Sequence, residues 1–352
     1  MNSSVIHPPA RWRWLGQELL SVWRRYSVWL ASAAILAILF LLSPAQGLAS
    51  ADFAFRSVVS TAPFLLLSIG LAAYAGASGA DSLVARAFTG SPATMILLAA
   101  LAGGLSPFCS CGVIPLIAAL LTMGVPLSAV MAFWLASPVM DPSMFALTTG
   151  VLGLEFAIAK TLAAVGLGVF GGAISELMLR SGGLTNPLRD GVGNGGCGGS
   201  AVRQCKPVAW KFWTDAERLH KFWREALKTT LFLAKWLTLA FILESLMLAY
   251  LPAQWVSSAL GGSGMSAIAL ASLVGVPAYL NGYAALPLVS GLVDQGMASG
   301  AGLAFLVAGG VTSLPAAIAV FALVKRQVFG LYIGLSLSGA FLAGLLFQLW
   351  LS

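Results

Sequence analysis

Two thiols one residue apart are the sharpest chemical feature of the chain. Cys109 and Cys111 stand in the run Pro107-Phe108-Cys109-Ser110-Cys111-Gly112-Val113-Ile114-Pro115. On an extended backbone alternate side chains turn to the same side, so the pair offers a soft bidentate site for a thiophilic ion. A half-helix starting near Gly112 would add free N–H groups that stabilise a thiolate or an anionic ligand. The competing reading is that Cys, Ser and Gly are small residues that let helices approach closely, and residue chemistry alone leaves both open.

A second group is Ser137-Pro138-Val139-Met140-Asp141-Pro142-Ser143. Its two prolines break a long apolar stretch near the centre, and an acid at that depth is costly enough to point to function. Asp141 could carry a coupling proton or hold a cation; its structural alternative is to cap the half-helix that starts at Pro142. The matching stretch later in the chain, Thr312-Ser313-Leu314-Pro315, has a break without a charge, so any coupling is asymmetric.

Asn281, Gly282 and Tyr283 offer amide, backbone and phenol groups to the same region, with hairpin-tip turn chemistry as the plain alternative. Glu244, Lys235 and Lys160 also fall inside apolar runs. The two lysines lie near run ends, from which they can snorkel, whereas Glu244 is deeper and is a second candidate for proton traffic. Cys197 and Cys205 sit in a Gly-rich stretch, either to hand a soft metal or metalloid to the pore or as unordered reduced thiols. No Walker A sequence or HExxH is present, and His7 and His220 lie outside the apolar runs. Hydrolytic and triad enzymology are therefore not expected, and neither is a cofactor.

The elements that position these groups must be membrane helices. Of 352 residues, 59% are hydrophobic and 9% charged, with a mean hydropathy of +0.91, which describes an all-α polytopic membrane protein. Bases crowd at Arg11, Arg13, Arg24 and Arg25 and again between Arg203 and Lys228. Both clusters flank apolar runs, so the net charge of +7 reads as topology and contact with anionic lipid, not as nucleic-acid binding. Four cysteines are too few for a disulfide framework in a chain this size.

Four regions follow. Residues 1–56 form a basic interfacial segment and a first helix ending near Ser43-Pro44, uncleaved; a signal peptide cut near 49–51 is the alternative. Residues 57–178 hold runs at 57–77, 93–105, 112–123, 126–150 and 154–178. Residues 179–228 begin as a flexible Gly-rich loop and end as a basic, aromatic surface helix, with capping-box spacing between Thr214 and Glu217. Residues 229–352 repeat the pattern at 229–251, 264–276, 284–294, 300–324 and 328–351.

Laying 111–141 over 283–313 aligns Pro115 with Pro287, Gly124 with Gly296, Phe133 with Phe305 and Ala136 with Ala308. Beyond it, a short slip places Lys160 opposite Lys325. Positive residues belong on the cytoplasmic side. The N-terminal bases, the 203–228 bases and Lys325-Arg326 meet that rule together only if 93–123 is a re-entrant hairpin or two separate crossings. The halves are then inverted repeats, each with a broken or re-entrant hairpin, the architecture of many secondary transporters. The prolines Pro107, Pro115, Pro138, Pro142, Pro287 and Pro315 supply the breaks.

The element P-x-C-S-C-G-x-x-P, matched here at Pro107, Cys109, Ser110, Cys111, Gly112 and Pro115, resembles the predicted-permease family that includes the ArsP organoarsenical efflux permeases and the YraQ-type permeases. The resemblance runs from about residue 57 to the end, interrupted by the Gly-rich loop. It implies export of trivalent organoarsenicals such as methylarsenite, with copper or zinc export as the alternative cargo, and it favours the thiol-site reading of Cys109 and Cys111.

The expectation is therefore a proton-coupled permease of the bacterial inner membrane, with its N-terminus in the cytoplasm and no enzymatic activity. Its partners are a small thiophilic solute and membrane lipid; self-association into a homo-oligomer is left open. A membrane thiol oxidoreductase is a rival, although thiols one residue apart close a strained ring. A passive channel is another, and it would not need Asp141.

Overall fold

A computed structural model describes residues 10–79, 90–106, 110, 112–182, 184, 187–189, 209–250, 264–278 and 282–351. These residues form thirteen α-helices and one 3-10 turn. Their one β-type pairing is an isolated bridge between Leu188 and Val324.

The N-terminal part is α1 (Ala10–Leu42) and α2 (Pro44–Ser78). Pro44 fits the first turn of α2, where an N–H is not needed. Pro63 lies in its interior, and the helix bends there by 43°. The first half continues with α3 (Pro92–Leu105), α4 (Val113–Thr122), α5 (Leu127–Ala136), α6 (Pro142–Leu152) and α7 (Leu154–Arg180). After the 3-10 turn Phe212–Thr214 comes α8 (Ala216–Tyr250), in which the basic aromatic stretch and the next apolar run are one continuous helix. The second half is α9 (Met265–Ala278), α10 (Gly282–Asp294), α11 (Ser299–Thr312), α12 (Leu314–Leu323) and α13 (Arg326–Leu351).

The expected capping box at the start of α8 is not the cap that forms. The Asp215 carboxylate accepts from Glu217 N at 3.0 Å, while the Thr214 hydroxyl donates to Lys211 O at 2.9 Å. Thr214 is spent on closing the 3-10 turn, so the next acceptor along the chain takes the helix end.

The two halves keep one register. Helices α5, α6 and α7 start at 127, 142 and 154, and α11, α12 and α13 at 299, 314 and 326, a constant offset of 172. Packing follows the same offset: α3 with α5 and α5 with α7 in one half, α9 with α11 and α11 with α13 in the other. A methyl group on Gly103 would sit 2.7 Å from Phe133 O and also meet Ala136; on Gly275 it would sit 2.7 Å from Phe305 O and meet Ala308. Small residues at matched places thus let the backbones touch. No slip is needed after the breaks, so Lys160 falls opposite Tyr332, and Lys325 opposite Gly153.

At the centre are the two arms that precede the breaks. Every residue of α11 from Gly300 to Thr312 is buried, as are nine of the ten residues of α5. Around them α7 and α13 pack against each other, as α2 and α8 do. Leu162 and Leu177 on α7 and Leu346 and Leu349 on α13 are exposed, as a surface facing lipid chains requires. Among the described residues α7, Ala216–Leu246 of α8, and α13 are long and apolar enough to cross a bilayer. Counting bent α2 and the α11–α12 pair, which turns by 40°, makes five.

Candidate functional site

The site is built where helices stop. Between α5 and α6 the chain leaves the helix at Ser137 and re-enters at Pro142, with Asp141 as the N-cap: extended backbone, and Oδ1 accepting from Met144 N at 2.8 Å. Between α11 and α12 the break narrows to Ser313, which stands 172 positions after Asp141 and caps α12 without a side-chain bond to it. Pro142 and Pro315 both lie in the first turn of the helix that follows a break, where their fixed φ costs nothing. Pro138 lies within the first break itself, in the turn between α5 and Asp141.

Each half also places its short hairpin arm against the other half's break. α4, which follows the paired cysteines, packs on α12, and α10, which begins at Gly282 of Asn281-Gly282-Tyr283, packs on α6. One hydroxyl pair joins the two halves there, and a second ties the first hairpin to its own half's break. Ser110 Oγ is 3.3 Å from Ser313 Oγ, and Ser106 Oγ is 2.8 Å from Ser137 Oγ. The tip that carries the thiol motif is therefore tied to the break of the opposite half.

Cys109, Cys111, Pro107, Asn281, Cys197 and Cys205 lie outside the described residues, as does the side chain of Tyr283. Of the other motif positions, Ser110 is half-buried, Gly112 is buried, and Pro115 is buried in the first turn of α4. Pro287 is exposed inside α10, whose helix runs through it, so it marks no break. Glu244 is buried in α8, on the helix that packs against α2 and α12. Lys235 is half-buried with its ammonium 5.2 Å from the Phe232 ring centroid.

Lys160 departs from expectation. It was expected to snorkel from a span end, yet the residue is only 1% exposed and its Nζ has no hydrogen-bond partner among the described residues. The reason is its place in α7: six residues past Leu154, roughly 9 Å along the helix, on the side packed against other helices. No ion pair within 4.0 Å joins it to Asp141 among the described residues. At the equivalent position Tyr332 is equally buried, donates its hydroxyl to Val311 O two residues before Ser313, and stacks on Trp134 at 4.9 Å. Both halves thus bury one long polar side chain at the same register position, a phenol in one and an ammonium in the other. Sequence reasoning missed this pairing, although the offset shared by Phe133/Phe305 and Ala136/Ala308, carried forward unchanged, already points to it.

Among the described residues no three His, Cys, Asp or Glu side chains come together as a metal-binding group. The arrangement is a polar seam of hydroxyls and one carboxylate at the junction of two broken helices, surrounded by apolar core, with Lys160 buried nearby in α7.

The chain is 35% identical over 85 residues to the UPF0718 protein YcgR of Bacillus subtilis, covering 24% of this chain and 29% of that one, so it spans under a third of that relative's length. It is 20% identical over 282 residues to a UPF0718 protein of Methanocaldococcus jannaschii, covering 68% of this chain and 77% of the relative. No solved structure matches it. The family profile ArsP_1, described as a predicted permease, matches residues 50–349, from within α2 to the last turn of α13. With both halves and both breaks inside that match, the chain belongs to the ArsP_1 predicted-permease family, as a multi-pass membrane protein.

Proposed function

We propose that this permease exports a soft, thiol-reactive solute across the bacterial inner membrane, by alternating access driven by the proton gradient. The cargo that fits best is a trivalent organoarsenical such as methylarsenite. The observation that supports the reading is the contact between Ser110 and Ser313, because it sets the residue between Cys109 and Cys111 in the sequence against a helix break. Irregular backbone at membrane depth persists only where protein or a wet cavity surrounds it. A site between two such breaks is where a carrier holds its cargo, and inverted repeats can rock about it.

In this reading Cys109 and Cys111 bind the arsenic. Each thiol displaces one hydroxyl, so two As–S bonds replace two As–O bonds and two waters leave, the thiol protons departing with them. Ser110, Gly112, Asn281 and Tyr283 line the same place, Asp141 carries the coupling proton, and Glu244 is a second proton site. Cys197 and Cys205 are accessory thiols on the cytoplasmic loop, and the N-terminus is cytoplasmic. The family membership supports transport over enzymatic turnover.

The test is uptake into everted membrane vesicles, with and without a proton gradient, for methylarsenite, arsenite, Cu(I) and Zn(II). Wild type is compared with the double variant Cys109→Ser/Cys111→Ser. Gradient-driven accumulation of methylarsenite that the double variant loses is the expected result. Accumulation of Cu(I) or Zn(II) alone would replace the cargo, accumulation unaffected by the variant would make the cysteines structural, and no accumulation of any of the four overturns soft-solute export.

A further inference from the structure

A lysine with no hydrogen bond, enclosed among helices, is among the costliest groups a membrane protein can carry, and something must compensate Lys160. The helices packed on α7 are α3, α5, α6, α11 and α13. Neither α3, α5 nor α11 contains an ionisable residue. α6 brings Asp141 at its cap, and α13 brings Tyr332, already bonded to Val311 O, and Arg326 at its first residue. On α7 itself Glu155 stands exposed in the first turn, while Glu176, sixteen residues on, is held by Arg180 and Ser128. Among the described residues of the helices that pack most on α7, Asp141 is thus the acid left to answer Lys160, and of its two oxygens Oδ1 is committed to Met144 N.

We propose that Lys160 is the resident counter-ion of Asp141, and that the carboxylate exchanges this ammonium for a proton in each transport cycle. This deepens the reading of Asp141 as the coupling group and rests on it. When a proton from solution binds Asp141, the carboxylate charge disappears and the ammonium is left buried without compensation. The conformation that encloses Lys160 then loses stability relative to one that opens it to water. Proton binding is converted in this way into movement of the break against α7. The second half has a hydroxyl at each of the two equivalent positions, Ser313 and Tyr332, so its break is held by neutral bonds and does not titrate with it.

The first experiment needs no solute. Full-length wild type, Lys160→Met, Asp141→Asn and the double variant are purified in detergent at neutral pH and their melting midpoints compared. Asp141→Asn leaves the buried ammonium alone and is expected to melt roughly 5–15 °C lower, Lys160→Met leaves only the half-buried carboxylate and loses less, and the double variant recovers at least half of the larger loss. Additive losses overturn the proposal. If Lys160→Met does not fold, Lys160→Gln takes its place; rescue of folding by Asp141→Asn is then the expected result, and a double variant that still fails to fold overturns it.

The second experiment separates a coupling role from a structural one. In proteoliposomes the pH midpoint of methylarsenite exchange is expected to rise by about one unit or more in Lys160→Gln, because a carboxylate without a neighbouring cation keeps its proton to higher pH. It should return towards wild type in Lys160→Arg. A midpoint unmoved in Lys160→Gln overturns the proposal even where the melting cycle is coupled. If wild type does not exchange methylarsenite, the cargo assignment falls, and the melting cycle still decides the ion pair.

Discussion

The hydroxyl of Ser110 lies 3.3 Å from that of Ser313, although 203 positions separate them in the chain. One belongs to the thiol motif of the first half, the other caps the helix after the break of the second. A contact this long-ranged between two short polar side chains requires that a hairpin tip and a helix break be brought together by everything between them. Helix-to-helix packing does this, since α4 lies on α12 and α10 on α6.

That relationship predicts a cross-link. In a chain whose four native cysteines are replaced by serine, Ser110→Cys and Ser313→Cys should form a disulfide on mild oxidation, since side chains whose hydroxyls touch need little backbone movement to reach bridging geometry. Thiol labelling followed by mass spectrometry should count two free thiols before oxidation and none after. Two thiols that stay open to label would show that tip and break do not meet.

Close backbone approach predicts a pair of matched lesions. Gly103→Ala and Gly275→Ala each drive a methyl into a carbonyl oxygen, at Phe133 and Phe305 respectively. Each should cost about 1–3 kcal/mol, as overpacking does. Gly150, inside α6 with nothing within 4 Å of the added carbon, should gain about 0.5–1 kcal/mol on change to Ala. Thermal melting in detergent orders the three; equal effects at all positions would deny the close contacts.

Much of this architecture is legible in the chain because a bilayer limits the choices. Apolar runs too short to cross, and prolines near the middle of the longer runs, already imply broken elements, and the 172-residue register shows in Phe133/Phe305 and Ala136/Ala308. What stays hidden is direction. Hydropathy marks Lys160 as a charge inside an apolar run, but near a run end a lysine can point outward to water or inward to a partner, and only the packing of α7 decides. The same holds for Ser106, Ser137 and Ser313: a serine in an apolar run reads as a small residue until its hydroxyl is seen against another. Asp141 is the reverse case, since its place before Pro142 reads equally as a cap and as a functional acid, and the structure shows it capping.

Both aspects of Asp141 can be separated by comparing two substitutions that remove its charge alike. Asp141→Asn keeps a side-chain oxygen for Met144 N, whereas Asp141→Ala does not. The alanine variant should therefore be less stable than the asparagine variant by about 1 kcal/mol, the usual worth of an N-cap. Gradient-driven accumulation should be lost in both, while solute exchange survives in Asp141→Asn. Equal melting midpoints would mean that the cap bond contributes nothing.

The start of α8 carries the last prediction. α2 ends with a left-handed Gly79, φ 78°, which leaves its final carbonyls without partners in the helix. Basic residues 140 and 145 positions on take them up: Arg218 Nη1 donates to Ser78 O at 2.9 Å and Lys221 Nζ to Gly76 O at 2.8 Å. Ala209 N also donates to Ser78 O at 2.9 Å, and the Tyr74 hydroxyl donates to Trp210 O at 3.1 Å. Phe212 is buried against Tyr74 and Phe222, while Trp210, Trp213 and Trp223 stay exposed. Two of the bases expected to face lipid headgroups are therefore spent on the negative end of a helix dipole, and the exposed tryptophans are left for the membrane interface. Arg218→Ala/Lys221→Ala should loosen this docking by about 1–2 kcal/mol in total, allowing for the partial exposure of both bases. Hydrogen exchange of the amides between 216 and 222 should then quicken by roughly 5- to 30-fold, since local opening sets the rate. The difference from wild type should narrow at high salt. Exchange that is unchanged in the double variant would mean that the aromatic cluster around Phe212 alone holds the segment to α2.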